Sequence, residues 1–268
     1  MDVEGKRVLI TGGSSGIGLA MAHGLAARGA HLVIAARGAA RVDDAVAALD
    51  ASGAEAAGIV ADVATEAGRA AALQGAIDAF GGLDILVNNA GAVRAGRLDA
   101  IDEDEIRAMI EVDLVAPIML TRAALPLLRT GPESMIVNVS SAIALVAMPY
   151  YATYAAVKAG LANFGESMRR ELNGEGIRVM TVYPSGTDTP MMATNNAGPE
   201  IGFSLEPAEA VAEAIIAGIE NDAISVVRGG PERQVLIDLN RADPTSIDAH
   251  FIAIKDVFER GVQSHRAL

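Results

Sequence analysis

The sequence predicts an α/β fold, a single doubly wound parallel sheet with helices on both faces. Three observations carry that expectation. Short Val/Ile-rich runs alternate with Ala-rich stretches of helical character along most of the chain. The runs are apolar on both faces, as strands buried in a parallel sheet must be. The residues are 51% hydrophobic, yet only 3% are aromatic and none is Trp. A core must then be built from Ala, Val, Ile and Leu, which suits parallel strands under small-residue helices.

The strand candidates, in order, are Arg7–Thr11, Leu32–Ala36, Gly58–Ala61, Ile85–Asn88, Met135–Val139, Val179–Tyr183 and Ile224–Val227. The repeated β-α-β pattern between them gives a Rossmann-like organisation. No Pro/Gly/Ser-rich linker or internal repeat divides the chain, so residues 1–268 read as one domain. Residues 188–205 break the pattern. Met191, Met192, Asn195, Asn196, Gly198, Pro199 and Gly202 follow no period, and the segment reads as a loop or mobile lid. Glu206-Pro207 then reads as an N-cap followed by Pro at the first helical position, and Asp243-Pro244 repeats the signal. In a C-terminal helical extension at about 244–264, Ile247, Phe251, Ile254 and Phe258 form one apolar stripe. Such a stripe packs on its own domain, or serves as a subunit contact or a pocket wall.

Net charge is −13, from 21 basic and 34 acidic residues. That balance argues against nucleic acid or an anionic membrane as a partner. There are no cysteines, so no disulfide framework and no Cys-based metal or redox site. His23, His31, His250 and His265 are scattered without metal-ligand spacing, and no metal is assigned. With no apolar run of membrane-spanning length and no leader pattern, a cytoplasmic protein is expected.

Val8-Leu9-Ile10 runs straight into Thr11-Gly12-Gly13-Ser14-Ser15-Gly16-Ile17-Gly18, and Ile17, Ala20, Met21 and Leu25 then follow helical spacing. Strand, Gly turn and helix in that order suit a nucleotide phosphate. The helix N-terminus offers N–H donors and partial positive charge. Gly12, Ser14, Ser15, Gly16, Ile17 and Gly18 are the candidate contacts, although the strict G-x-G-x-x-G spacing is absent. The second strand ends Ala35-Ala36-Arg37. An acidic residue at that place would hold a free ribose 2′-hydroxyl. Ala36 followed by Arg37 favours a 2′-phosphate instead, so NADP(H) is preferred and NAD(H) stays open.

Tyr154 and Lys158 are four residues apart on a predicted helix and share one face. A fixed ammonium there should pull the phenol pKa down from about 10, making Tyr154 a usable proton donor or acceptor. Lys158 is one of only three lysines (Lys6, Lys158, Lys255) among the 21 basic residues, so filler is a poor explanation for it. Ser141 ends a strand-like run upstream.

With these motifs the chain resembles the short-chain dehydrogenase/reductase family in its shorter, single-domain form, over roughly residues 5 to 230. Besides the Gly turn, Asp62-Val63, Asn88-Asn89-Ala90-Gly91 and the Ser141, Tyr154, Lys158 set match in type and spacing. The resemblance implies that Asp62 and Val63 lie against the adenine and that Asn89, Ala90 and Gly91 line the adenosine side. It implies that Pro184, Gly186, Thr187 and Thr189 hold the nicotinamide carboxamide and diphosphate. Tyr154 would be the general acid/base, Lys158 would assist it and hold the nicotinamide ribose, and Ser141 would hold the substrate oxygen. It further implies a homodimer or homotetramer built on helices near Asp102–Arg129 and Tyr151–Asn173.

Two places depart from the family pattern. Val112-Asp113-Leu114 stands where Val-Asn-Leu is usual, in a helix that the Asn kinks while its carbonyl holds a proton-relay water. Asp113 can keep a main-chain role, and a carboxylate there would favour a charged Lys158. Pro184-Ser185-Gly186 replaces the commoner Pro-Gly, which turns Ser185 towards the cofactor or the substrate.

The expected substrate walls are Ile143, Leu145, Met148, Tyr150, Tyr151, Met191, Met192 and Phe203, with Ser185, and no wall residue is charged. They suit a small hydrophobic ketone or secondary alcohol. The leading expectation is an NADP(H)-dependent carbonyl reductase or alcohol dehydrogenase. The alternatives are a dinucleotide-binding sensor or scaffold without turnover, and a sugar-nucleotide epimerase or dehydratase. The last needs a larger substrate domain than the residues after Val227 supply.

Overall fold

The computed structural model describes residues 1–198 and 204–268. Seven parallel strands form the central sheet: β1 (Arg7–Thr11), β2 (His31–Ala36), β3 (Ala56–Val60), β4 (Ile85–Asn88), β5 (Ser134–Val139), β6 (Ile177–Tyr183) and β7 (Ser225–Val227). Their order across the sheet is β7-β6-β5-β4-β1-β2-β3. The chain therefore winds outwards from β1 in one direction, returns, and winds outwards from β4 in the other. The crevice between β1 and β4 is the switch point at which open α/β sheets bind ligands.

The alternation along β1 shows why both faces had to be apolar. Val8 and Ile10 enter one core layer with Met21 and Leu25 of α1 (Gly16–Ala26) and Val211, Ile215 and Ile219 of α7 (Ala208–Glu220). Leu9 enters the opposite layer with Leu73 of α3 (Glu66–Phe80) and Leu120, Ala124 and Leu128 of α5 (Ala116–Leu128). All three β1 side chains are fully buried. The central strands match the sequence reading closely, and the edges shift. β3 begins at Ala56 because Leu32 and Val33 of β2 pair with Ala56 and Ala57. β7 begins at Ser225, leaving Ile224 62% exposed beside the edge.

The remaining helices are α2 (Ala39–Ala51), α4 (Glu103–Ile110), α6 (Ala152–Glu171), α8 (Gly230–Ala242) and α9 (Pro244–Val262). A π-turn over Glu111–Val115 joins α4 to α5. Glu206 is not the cap the sequence suggests. Glu206–Pro207 pairs as a short strand with Thr187–Asp188, the Glu206 carboxylate meets Arg228 at 2.7 Å, and α7 starts at Ala208. Asp243 does cap α9, accepting from the Ser246 N–H. A short antiparallel pairing of Arg266–Ala267 with Val93–Arg94 brings the C-terminal residues back to the rim of the cleft. No helix among the described residues is long and apolar enough to cross a membrane.

Candidate active site

A cleft of about 1020 Å³ opens over the C-terminal ends of the strands. That exceeds the room one small ligand needs and suits a dinucleotide with a substrate beside it. Ser14, Ser15, Gly16 and Ile17 line one end, and Ser141, Tyr154 and Lys158 line the wall across from it.

The turn after β1 is held by the residues next to β4. The Thr11 hydroxyl donates to the Val87 carbonyl (3.1 Å) and accepts from the N–H groups of Asn89 and Ala90 (3.0 Å each). Asn89 Nδ2 donates to the Thr11 carbonyl at 2.9 Å. Gly12 and Gly16 adopt φ of +66° and +53°, the left-handed region that favours glycine. Gly18 does not line the cleft; a Cβ there would lie 2.5 Å from Asn89 Nδ2, so this glycine admits the Asn89 anchor. The Ser15 side chain makes no capping bond, which leaves first-turn N–H groups of α1 to an anion.

Arg37, at the end of β2, is exposed and faces the cleft, as do Asp62 and Val63 beyond β3. Asp62 Oδ1 also accepts from the Ala64 N–H at 3.0 Å, fixing that turn. Arg41, in the first turn of α2, lines the same end and was missed by the sequence reading. Its only signal was a second Arg four residues after Arg37.

Ser141 leaves β5 and Tyr154 and Lys158 lie on α6, so a strand end and a helix face bring the three together. Lys158 is buried. Its Nζ donates to the Val139 carbonyl (3.2 Å), lies 3.0 Å from Asp113 Oδ1 and stands 5.6 Å from the centre of the Tyr154 ring. Asp113 is fully buried in the π-turn, and its Oδ2 accepts from the Ala92 N–H at 3.1 Å. The π-turn supplies the break in the helix, and the carboxylate turns inward to meet the ammonium.

These charges correct one expectation. Burial lifts the Tyr154 phenol, Lys158 and the Ser141 hydroxyl pull it down, and Asp113 pushes it further up. The net direction is above the ordinary value of about 10, not below it. Burial also lifts the Asp113 carboxyl against the pull of Lys158. Burial opposes the Lys158 charge, but Asp113 and Tyr154 outweigh it and hold the ammonium on.

Gly91 makes the Asp113–Lys158 approach sterically feasible. A Cβ at position 91 would lie 2.7 Å from Asp113 Oδ1 and 3.4 Å from Lys158 Nζ. Gly91→Ala is expected to displace the pair and lower turnover about tenfold to a hundredfold, the scale of a small misplacement at a reacting centre. Steady-state kinetics beside an NADPH binding titration check this; unchanged kcat would show that the pair tolerates displacement.

Pro184, Gly186, Thr187 and Thr189 line the cleft between the two ends. Ile143, Met148, Tyr151, Met191 and Met192, expected on the substrate side, also line it, and Phe203 lies outside the described residues. Leu145 and Tyr150 do not belong to the wall. Leu145 packs with Val146 and Ile237, and the Tyr150 hydroxyl donates to Glu259 Oε2 at 2.9 Å. The apolar stripe of α9 serves two of its expected roles. Ile247 and Phe258 are buried, and Ile247, Phe251, Ile254 and Phe258 all face the cleft.

Sequence reasoning also missed His265. It is buried, lies 2.8 Å from the Tyr151 hydroxyl through Nδ1, and meets the Met191 carbonyl through Nε2 at 3.0 Å. Burial holds its pKa below the usual histidine range. Asn195 Nδ2 donates to the same Tyr151 hydroxyl at 3.1 Å. The tail after α9 thus ties residues 191–195 to the cleft wall at Tyr151, across 114 residues for the Tyr151–His265 contact.

Comparison with known proteins agrees with this architecture. The short chain dehydrogenase family matches residues 6–200. The cis-4-hydroxycyclohexanecarboxylate dehydrogenase of Sinomonas cyclohexanicum is 39% identical over 232 residues, 82% of this chain and 91% of that one. A short chain dehydrogenase from Burkholderia cenocepacia J2315, solved with NADP, superposes with a TM-score of 0.79 at 36% identity, covering 86% of this chain and 98% of that one. The 3-ketoacyl-(acyl-carrier-protein) reductase from Brucella melitensis, solved with NADH, gives 0.76 at 27% identity over 86% and 99% of the two chains. The chain belongs to the short-chain dehydrogenase/reductase family and is an NAD(P)-dependent oxidoreductase.

Proposed function

We propose that this oxidoreductase moves hydride between nicotinamide and a ketone or secondary alcohol with an apolar body, with NADP(H) preferred. The observation that carries the reading is the meeting of Ser141, Tyr154 and Lys158 on one wall of a cleft whose far end holds the Gly turn. The residues fit a dinucleotide: free first-turn N–H groups for a diphosphate, Asp62 and Val63 for the adenine, and Arg37 with Arg41 for a 2′-phosphate. Lys158, Asn89, Ala90, Gly91, Pro184, Gly186, Thr187 and Thr189 would hold the remainder. When bound, the dinucleotide donates or receives the hydride. Tyr154 gives its phenol proton to the substrate oxygen in reduction and takes it back in oxidation. Ser141 donates to that oxygen where charge develops. Lys158, fixed by Val139 and Asp113, stabilises the phenolate.

Ile143, Tyr151, Met191 and Met192 give the substrate an apolar seat. The Sinomonas relative, a dehydrogenase of a hydroxycyclohexanecarboxylate, supports the secondary-alcohol class. Ile110 and Met119 are exposed on the α4–α5 surface, which supports a homodimer or homotetramer through that surface and α6. A cytoplasmic location completes the reading.

NADPH oxidation with a panel of ketones and diketones tests the proposal. Consumption of one NADPH per ketone is expected. Tight NADPH binding without consumption would favour the sensor reading, and substrate conversion without net consumption would favour an epimerase. Arg37→Asp is expected to lower the preference for NADPH over NADH by about tenfold or more, the worth of a charge-assisted hydrogen bond. Unchanged selectivity would count against the 2′-phosphate assignment.

A further inference from the structure

Among the described residues, no carboxylate meets Arg233, which stands in the cleft wall. It lies in the first turn of α8, is partly buried, and lines the cavity beside Gly229 and Leu236. Its Nη2 donates to Ser185 Oγ at 3.1 Å. The acidic side chains along the cleft are Asp62, Glu111 and Glu232, and among the described residues none pairs with Arg233. Several other partly buried arginines meet a carboxylate: Arg7 with Asp84 at 2.8 Å, Arg94 with Glu105 at 3.2 Å, Arg228 with Glu206 at 2.7 Å, while Arg69 is held by the Val63 and Ala64 carbonyls at 2.8 and 2.9 Å. Burial draws the Arg233 pKa down with no carboxylate to offset it. A guanidinium nevertheless keeps its proton in a protein. Among the described residues, this desolvated positive charge, in a molecule of net charge −13, therefore has no counter-charge.

Its position is specific. Ser185 follows Pro184, whose carbonyl accepts from the Ala142 N–H at 2.8 Å, directly after Ser141. The guanidinium is thus connected through two short contacts to the backbone beside the hydroxyl proposed to hold the reacting oxygen. Leu236 and Ile237, one turn along α8, pack with Leu145 and Val146 and fix the helix there. Ile143, Met191, Phe251 and Phe258 give the wall there an apolar part, alongside Asn195, His265 and the exposed Glu232. A partly buried, unpaired cation beside apolar surface selects for a ligand with a complementary charge and an apolar body.

We propose that Arg233 and the Ser185 hydroxyl form a carboxylate-binding site at the substrate end of the cleft, and that the substrate is an oxo acid or hydroxy acid. The guanidinium offers further N–H donors in a planar fork that matches a carboxylate. Ser185 Oγ accepts from Arg233 and keeps its own O–H to donate to the bound anion. A short apolar body separates the carboxylate from the reacting carbon. This rests on the oxidoreductase reading above and corrects the expectation that no wall residue is charged.

The test reads binding without turnover, so it stands apart from the hydride-transfer reading. Carboxylates from cyclohexanecarboxylate to 4-phenylbutanoate, and their methyl esters, are titrated calorimetrically into the enzyme with NADPH. At least one acid is expected to bind about tenfold or more tightly than its ester. Raising NaCl from 50 to 500 mM should shrink that preference in the unaltered enzyme. Arg233→Met should remove it, mainly by weakening the acid, and Arg233→Lys should restore part of it. Turnover of 4-oxocyclohexanecarboxylate against its methyl ester should show the same pattern, carried by KM more than kcat. The proposal is overturned if no acid in the series binds more tightly than its ester. It is also overturned if Arg233→Met weakens NADPH as much as the acid, which would give the guanidinium to the cofactor.

Discussion

Tyr154→Phe is expected to lower ketone reduction by about 10²- to 10⁴-fold, the usual worth of a positioned proton donor, while NADPH binding holds. The change removes one oxygen from a ring that the surrounding residues hold in place. Lys158 keeps its contacts to Val139 and Asp113, so the fold and the cofactor site should survive. The neighbouring Tyr151 is a poor substitute donor. Its ring lies 6.3 Å from that of Tyr154, its hydroxyl is engaged by His265 and Asn195, and burial lifts its pKa still further than that of an ordinary phenol. Single-turnover kinetics with saturating NADPH measure the effect. A loss of less than about threefold would mean that the proton comes from elsewhere.

The second large effect is expected at Asp113. Asp113→Asn preserves the shape of the side chain and removes a buried charge 3.0 Å from Lys158 Nζ. Two outcomes should appear together. Asp113 is one of the influences holding the Tyr154 pKa up, so its loss should lower that pKa. In alcohol oxidation the phenolate is the active form, so the limb that rises with pH should move to lower pH. In ketone reduction the neutral phenol is active, and the falling limb should move the same way. The second outcome is a loss of stability of about 3 kcal/mol, because Lys158 is left charged in a buried place without its anion. pH–rate profiles in both directions and urea unfolding read the two effects. A variant with unshifted profiles would show that the carboxylate does not speak to Tyr154. A sharp rise in turnover at neutral pH would show that the native Asp113 restrains the enzyme.

Most of the sheet was legible because its signals are local. β1, β4 and the Gly turn are each written in a few consecutive residues, and Tyr154 and Lys158 share one helical turn. The edges were less clear because Ala and Gly carry little pattern: β3 takes in Ala56 and Ala57 only through their pairing with β2. Glu206 looked like a cap because an acidic residue before Pro is a fair helix start. Arg228, 22 residues away, claims its carboxylate instead. The parts of the site that escaped notice are those made by distant partners. Thr11 reaches across 76 residues to Val87, Ser185 across 48 to Arg233, and Tyr151 across 114 to His265. No spacing rule connects such residues.

By itself the sequence determined the parallel doubly wound sheet, the Gly turn at its switch point and the family to which the chain belongs. Each comes from periodicity or from motifs a few residues long, which act through local backbone geometry. Only the tertiary structure decided which way the Tyr154 pKa moves, what the Asp113 carboxylate does, and that Arg233 enters the wall of the cleft. Those outcomes depend on burial and on charges brought together from separate elements. Desolvation and Coulomb forces act through space, so the order of residues does not reveal them until the chain has folded.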